Sequence, residues 1–329
     1  MITHRPWHWI AISGALVTLC IVALGSGAIP IPARDVIDAI RGNGDPMIIS
    51  IVRNLRMPRI LLGALVGAGL GMSGGALQGT LRNGLAEPYL LGVSGGAAVG
   101  AVIAFSAHVT GSTVIALAAF AGAASAVVLA LLVARAAGTV GRGDPRTLLM
   151  AGVVIGAFAN AVIMIALANA PANTVRGALW WMMGSVGDAS WNGVASLALY
   201  ITIGGGALIY WAREIDVLSL GDEPAAALGV NVETATRRIY LLAALLAAAT
   251  VAAAGLIGFV GLIVPHIVRA GGIRKHRPLI GGSAIVGATL VVAADLVART
   301  IRPPGELPLG AVTAVLGVPF FLGQLRRAR

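Results

Sequence analysis

Continuous apolar runs of about 20 residues recur along the chain and constrain its fold more than any other feature. Two of them, Ile10 to Ser26 and Ser112 to Ala134, contain no charged residue at all. A helix of about 20 apolar residues spans the roughly 30 Å hydrocarbon core of a bilayer, whereas barrel strands are shorter, alternating segments. Hydrophobic residues make up 58% of the chain and its mean hydropathy is +0.91. The sequence therefore predicts an all-α integral membrane protein.

The runs predict about ten transmembrane helices in one transmembrane domain that covers residues 1–329. The run 239–268 is 30 residues long, which is about 45 Å as a straight helix and too long for one span. Gly255, Gly258 and Gly261 mark the expected break, and Pro265 marks a second disturbance. The predicted spans are 10–26, 60–81, 89–107, 112–134, 147–168, 193–211, two within 239–268, 279–297 and 307–322.

Three polar segments separate these spans, and basic residues indicate on which side each one lies. Residues 29–59 are predicted to form an extramembrane segment with a short helix from Arg34 to Ile40. Residues 171–192 carry three tryptophans and are predicted to form an interfacial helix with an aromatic belt. The positive-inside rule places the basic loop 135–146, the segment 213–238 and both termini in the cytoplasm. Residues 29–59 are then periplasmic, and the net charge of +10 requires no nucleic acid.

The second predicted span carries glycine at every fourth position. Such a ridge lets another helix backbone approach closely, which favours helix association in lipid. The same span contains a G-x-G-x-x-G match from Gly69 to Gly74, but that motif binds dinucleotides only after a strand in a soluble βαβ unit. We therefore interpret the glycines as packing positions. They are Gly63, Gly67, Gly71, Gly75 and Gly79.

Residues 213–238 are the longest polar interruption of the apolar sequence. They hold five acidic and three basic residues, in a chain that is otherwise strongly basic. Asp222 could cap a short helix that has Pro224 in its first turn and ends at Gly229 in a left-handed conformation. Charge alone leaves two interpretations open, a solvated loop or a surface held by a soluble partner.

Residues for chemistry or for ion coupling are few. The chain contains no G-x-x-x-x-G-K-[ST] phosphate-binding motif, so ATP hydrolysis would have to occur on another protein. The histidine spacings predict no metal site, and the single cysteine, Cys20, excludes a disulfide framework. Glu87, Asp295 and His266 lie near span ends or breaks, where a structural hydrogen bond is a better interpretation than a proton relay. The chain is thus predicted to be neither an enzyme nor a cofactor protein.

Several sequence blocks resemble one family, the type II ABC importer permeases of the FecCD/BtuC type that move iron-siderophores, haem and vitamin B12. The segment Arg56-Met57-Pro58-Arg59 is similar to the family's R-x-P-R motif. The stretch from Gly71 to Ala101 resembles its longest signature. Further matching blocks are LLMAGV, WWMMGSV, LGDEPAAALGVNV, GLIGFVGLIVPHIVR and ELPLGAVTAVLGVPFF, which begin at Leu148, Trp180, Leu220, Gly255 and Glu306.

This resemblance implies a homodimer with ten spans per subunit in the bacterial inner membrane. It implies two cytoplasmic ATPase subunits that bind ATP-Mg, and an extracytoplasmic substrate-binding protein. The central segment is similar to the family's coupling helices, which contact the ATPase. The implied coupling residues are Gly221, Asp222, Glu223, Pro224, Ala225, Ala226, Ala227, Leu228 and Gly229.

The resemblance also implies that Arg56, Arg59 and Arg299 meet carboxylates of the binding protein. The alternative is that these arginines only anchor the helices at lipid headgroups. The pathway would run along the fifth span, whose cytoplasmic start is Pro145, Arg146 and Thr147. The vitamin B12 permease has short hydroxyl residues there, so the departure puts the gate chemistry in doubt.

Two other classes of function remain open at the level of sequence. An ion-coupled secondary transporter would move cargo in liposomes under an ion gradient alone. A structural scaffold rich in small residues would move nothing. The sequence does not identify the chelate, nor does it separate a homodimer from a heterodimer with a paralogue.

Overall fold

The computed structural model describes residues 6–136 and 145–327, and within these ranges the chain is helical without any strand. Each helix begins and ends close to a polar, glycine or proline residue of the sequence. The helices are α1 (Pro6–Gly25), α2 (Ala33–Arg41), α3 (Pro46–Thr80), α4 (Val93–Ser106), α5 (Ser112–Ala136), α6 (Pro145–Ala168), α7 (Ala172–Met182), α8 (Trp191–Tyr210), α9 (Ala212–Leu218), α10 (Asp222–Ala227), α11 (Val232–Ala254), α12 (Val260–Ala270), α13 (His276–Thr300) and α14 (Leu309–Arg327).

Ten of these helices carry the predicted spans. Among the described residues, α3, α5, α6, α8, α11 and α13 are long and apolar enough to cross a membrane. Shorter apolar helices, α1, α4, α12 and α14, lie where the other four spans were predicted. The prediction of an all-α membrane protein with about ten spans is confirmed.

Helix α3 forms the centre of the bundle and packs against α13, α11 and α12. Its most apolar stretch is 83% buried, whereas that of α6 is only 22% buried. Small residues make this central position possible. In lipid no hydrophobic force drives helices together, and small residues let their backbones pack closely instead. Helix α6 therefore presents most of its surface to the outside of this single chain.

The contact between α3 and α13 is backbone against backbone. A Cβ atom on Gly67 would lie 2.0 Å from the Gly287 carbonyl oxygen, and a Cβ on Gly287 would lie 2.1 Å from that of Gly67. A Cβ on Gly71 would likewise lie 2.3 Å from the Ser283 carbonyl oxygen. The other predicted ridge positions differ, because Gly63 and Gly75 have ordinary van der Waals room. Gly79 faces the imidazole of His276, which leaves no space for a methyl group there.

Helix α3 starts earlier than the sequence predicts. Asp45 caps it by accepting a hydrogen bond from the Met47 amide at 2.8 Å, so residues 46–59 are continuous with the helix. The periplasmic location of residues 29–59 stays a prediction. A π-helical turn, Ile51–Arg56, lies inside α3. Arg53, Arg56 and Arg59 suggested that the helix begins after them. They lie on the helix instead, because their side chains find partners within the chain. The predicted helix from Arg34 to Ile40 is present as α2.

The break expected in the run 239–268 is confirmed between α11 and α12. Gly255 has φ +69° and Phe259 has φ +68°, so the helix cannot continue through residues 255–259. Peptide groups in this break have no helical hydrogen-bond partners, and side chains from the stretch before α4 bind two of them. Tyr89 Oη accepts from the Ile257 amide at 2.9 Å, and Glu87 Oε1 accepts from the Phe259 amide at 2.8 Å. Irregular backbone at membrane depth needs such partners.

The predicted helix over 171–192 is only about half helical. Helix α7 ends at Met182, and Gly184 adopts φ +74°. The following chain binds other elements: the Gly184 carbonyl accepts from the Leu309 amide at 3.1 Å and the Met183 carbonyl from Gly310 at 3.0 Å. These bonds hold the start of α14, which explains why the helix stops where it does.

Candidate functional site

Charged residues that are far apart in the sequence meet at one end of the bundle. We call this group the arginine cluster, and it comprises Arg56, Arg59, Asp295, Arg299 and Glu306. Helix α3 supplies the first two residues, α13 supplies the next two, and the loop before α14 supplies the glutamate. All three arginines predicted to dock a binding protein lie in it.

Arg59 lies between two carboxylates and binds one with each edge of its guanidinium group. Nε and Nη2 donate to Asp295 Oδ1 at 3.0 and 2.8 Å. Nη1 donates to Glu306 Oε1 at 2.6 Å, and Nη2 donates to Oε2 at 2.9 Å. Such bidentate pairs are the stronger kind of ion pair. The Arg59 side chain is 13% exposed, that of Asp295 5% and that of Glu306 42%, so only Glu306 is open to solvent.

Arg56 and Arg299 point toward the last turn of α1 and the chain that follows it. Arg56 donates to the carbonyls of Leu24 and Ile29, and Arg299 donates to the carbonyl of Ala23. Both residues are only 6% exposed. The structure thus brings the predicted docking residues together, but it buries two of them.

Glu306 is the member of this cluster that sequence reasoning did not single out. It appeared only as the first letter of a family block, and a glutamate in a proline-rich turn usually faces solvent. Its hydrogen bond to Arg59 lowers the pKa of the Glu306 carboxyl, and its partial burial opposes that shift less strongly. Glu306 is therefore ionised at neutral pH.

At the other end of the bundle, the segment 213–238 is anchored by α9. Ile215 and Leu218 of α9 are buried in the core. Asp216 Oδ1 accepts from the His276 amide at 2.8 Å and lies 2.7 Å from His276 Nδ1. An aspartate from α9 thus satisfies a free amide at the start of α13. The segment is consequently tied to a helix that runs to the arginine cluster.

A second set of contacts ties the same segment to α11. Arg238 forms an ion pair with Glu214 and lies over the Trp211 ring, with its guanidinium carbon 4.4 Å from the ring centroid. Cation–π contacts of this kind add to the ion pair and fix the arginine side chain. Helices α9, α10 and the start of α11 therefore form one anchored unit.

Helix α10 has the predicted position and stop but a different start. Gly221, with φ +117°, is the N-cap, and Asp222 instead pairs with Arg82 at 2.9 Å. The expectation that Asp222 caps the helix is wrong, because this ion pair engages its side chain. At the other end Gly229 has φ +82°, and its amide bonds to the Ala226 carbonyl at 2.9 Å. This is the glycine stop that the sequence predicts.

The outer face of α10 is available for a partner. Ala225 is fully buried, whereas Leu220 and Leu228 are each 63% exposed. Of the nine predicted coupling residues, Glu223, Pro224, Ala226, Ala227, Leu228 and Gly229 are exposed. Exposed leucines on an anchored polar segment are typical of a protein-binding surface.

The predicted gate residues lie at the first turn of α6. Residues 137–144 of the basic loop lie outside the described ranges, as do the side chains of Pro145 and Arg146, and Thr147 is half-buried. The role of these residues stays a prediction. Within the described part of the chain, no group of three or more His, Cys, Asp or Glu residues could hold a metal ion.

Known proteins resemble this chain over nearly its whole length. It is 42% identical to the cobalamin import system permease protein BtuC of Halobacterium salinarum, over 84% of this chain and 73% of that protein. It is 39% identical to the hemin transport system permease protein HmuU of Yersinia pestis, over 95% of this chain and 94% of that protein.

A solved structure of a metal-chelate type ABC transporter, in an inward-facing conformation, has the same fold. The two chains superpose with a TM-score of 0.85 at 25% sequence identity. The match covers 98% of this chain and 99% of the solved chain. The model of the FecCD transport family matches residues 15–327. Together with the relatives, this match shows that the chain belongs to the FecCD family of transport permeases.

Proposed function

We propose that this chain is the permease subunit of an ATP-driven importer for a metal chelate. The observation that carries the proposal is the short helix α10, which is flanked by the exposed Leu220 and Leu228, while α9 anchors the segment to the start of α13. The names of the relatives supply the cargo class, which is an iron-siderophore, haem or cobalamin. The chain performs no chemistry on its cargo.

The proposed assembly has two copies of this permease, two ATPase subunits on the α10 side and a substrate-binding protein on the side of the arginine cluster. The α10 side is cytoplasmic, and the membrane is the inner membrane of a bacterium. ATP-Mg binds to the ATPase subunits alone. Their nucleotide states favour different permease conformations, and this differential affinity opens the path on one side and closes it on the other.

A charge at the end of α10 tests the contact with the ATPase. Leu228→Glu places a carboxylate in a surface that would be desolvated on binding, which is unfavourable. We expect the affinity for the ATPase subunits, measured in nanodiscs, to fall at least tenfold. We also expect ATP-driven uptake into proteoliposomes to be lost. Ile301→Glu is the matched control, because Ile301 is 65% exposed and lies at the opposite end of the bundle. Equal affinity of the ATPase subunits for both variants would contradict the proposal.

The cargo can be identified by ATPase activity of the whole complex in nanodiscs. The complex is titrated with the binding protein encoded beside the permease, loaded in turn with a ferric siderophore, haem or cobalamin. Stimulation by one loaded form would identify the cargo. Uptake by the permease alone under an ion gradient would instead favour a secondary transporter.

A further inference from the structure

The arginine cluster holds more positive than negative charge. Arg56, Arg59 and Arg299 face only two carboxylates, Asp295 and Glu306, among the described residues. The Arg299 Nε atom lies 3.4 Å from Asp295 Oδ2, and it is buried without a hydrogen-bond partner in the described part of the chain. The cluster therefore keeps an excess of positive charge, which favours the approach of a carboxylate.

The cationic groups lie side by side. A Cβ atom on Gly27 would lie 2.9 Å from Arg56 Nη2 and 3.6 Å from Arg299 Nη1. Similarly, a Cβ on Gly187 would lie 3.7 Å from Arg59 Nη1 and 3.6 Å from Glu306 Oε2. Gly27 thus packs closely against the buried Arg56, whereas the exposed Gly187 borders Arg59 and Glu306 and places no side chain there.

The two carboxylates on Arg59 differ in how firmly they are placed. Asp295 lies on a long helix, is almost fully buried and also faces Arg299. Glu306 lies in a loop and is 42% exposed, although its bond to Arg59 is short. An exposed ion pair contributes little net stability and exchanges readily, whereas a buried one resists removal. Glu306 is the carboxylate that a competitor could replace.

We propose that Glu306 occupies the outward edge of Arg59 in the free permease, and that a carboxylate of the docking binding protein replaces it there. This inference rests on the proposed function, because it requires a binding protein that docks at the cluster. Asp295 stays on the other edge of Arg59 and keeps the guanidinium group in place. Docking then exchanges one ion pair for another and does not bury an unpaired charge.

The exchange frees the loop that precedes α14. Glu306 is followed by Leu307, whose amide donates to the Ala298 carbonyl at 3.0 Å, and α14 begins two residues later. Release of Glu306 removes the tie between this loop and Arg59 of α3, whereas the backbone bond to α13 stays in place. Docking would thereby loosen the connection between α3 and the loop that leads into α14.

The experiment compares Glu306→Gln with Asp188→Asn in the permease–ATPase complex in nanodiscs. Both changes remove one negative charge on the same side, but Asp188 is exposed and has no ion-pair partner within the described residues. The affinity for the neighbouring binding protein is measured for each variant. We expect Glu306→Gln to raise it about fivefold or more, because the competitor is weakened, and Asp188→Asn to change it less than about twofold.

Two further results separate this inference from the function on which it rests. In an Arg59→Lys background, the gain from Glu306→Gln should disappear, because the outward edge that Glu306 occupies no longer exists. If the wild type binds the protein and Glu306→Gln binds no more tightly than Asp188→Asn, the exchange is overturned and docking stands. If the wild type does not bind it at all, the docking function is overturned as well.

Discussion

At the scale of single residues, Glu87 shows how a carboxylate inside a membrane protein can serve the backbone. It accepts a hydrogen bond from the Phe259 amide, at a break where helical bonding is impossible. A carboxylate in such a place is often taken as a proton carrier. Here a structural role accounts for the residue.

Substitution of Glu87 tests that role. Glu87→Leu keeps the approximate size of the side chain but leaves the Phe259 amide without an acceptor, so we expect a loss of about 1–3 kcal/mol in the free energy of unfolding. Glu87→Gln keeps an oxygen acceptor and should have a clearly smaller effect. Thermal unfolding of both variants in detergent measures this difference. Equal losses would show that charge, and not the hydrogen bond, is what matters.

The Glu306 carboxyl predicts a specific pH dependence. Arg59 lowers its pKa, so its contribution to stability is complete above the unfolded value of about 4.3 and is lost as the pH falls through the folded value. The melting temperature of the wild type should exceed that of Glu306→Gln by a constant amount near neutral pH. The difference should shrink below a pH of about 4. A difference that stays constant through acid would contradict the ion pair.

At the scale of helices, the contact between α3 and α13 depends on glycine at particular positions. A methyl group on Gly67 would collide with the Gly287 carbonyl, whereas one on Gly63 would have its nearest neighbour at 3.8 Å. We expect Gly67→Ala to destabilise the protein by roughly 1–3 kcal/mol and Gly63→Ala to have little effect. Both are measured by thermal unfolding in the same detergent. Similar stability of the two variants would contradict the close contact.

The helices and the breaks between them were predictable from the sequence to different degrees. The spans and the break near Gly255 follow from run length and from glycine conformation, both of which are local properties. The start of α3 does not, because Arg53, Arg56 and Arg59 resemble an extramembrane cluster when read alone. The partners of Arg59 lie 236 and 247 residues away. Only the folded chain shows that its charge is neutralised inside the bundle.

At the candidate sites, too, local sequence patterns predict backbone conformation but not tertiary partners. The glycine stop of α10 was predictable because left-handed backbone favours glycine, whereas its start was not, since Asp222 has a partner on another element. The charge topology predicted the outer side for the arginines, and the family resemblance gave them a docking role. Their burial and the role of Glu306 depend on tertiary contacts that no local pattern encodes.

At the scale of the whole molecule, one helix joins the two candidate sites. Helix α13 begins at His276, held by Asp216, and carries Asp295 near its far end. Between them it touches α3 at Ser283 and Gly287. In mechanical terms α13 is a strut clamped along α3 and, at about 1.5 Å per residue, it spans about 28 Å from His276 to Asp295. A strut of this kind carries a displacement along its own axis, so a push at one end of the bundle becomes a displacement at the other.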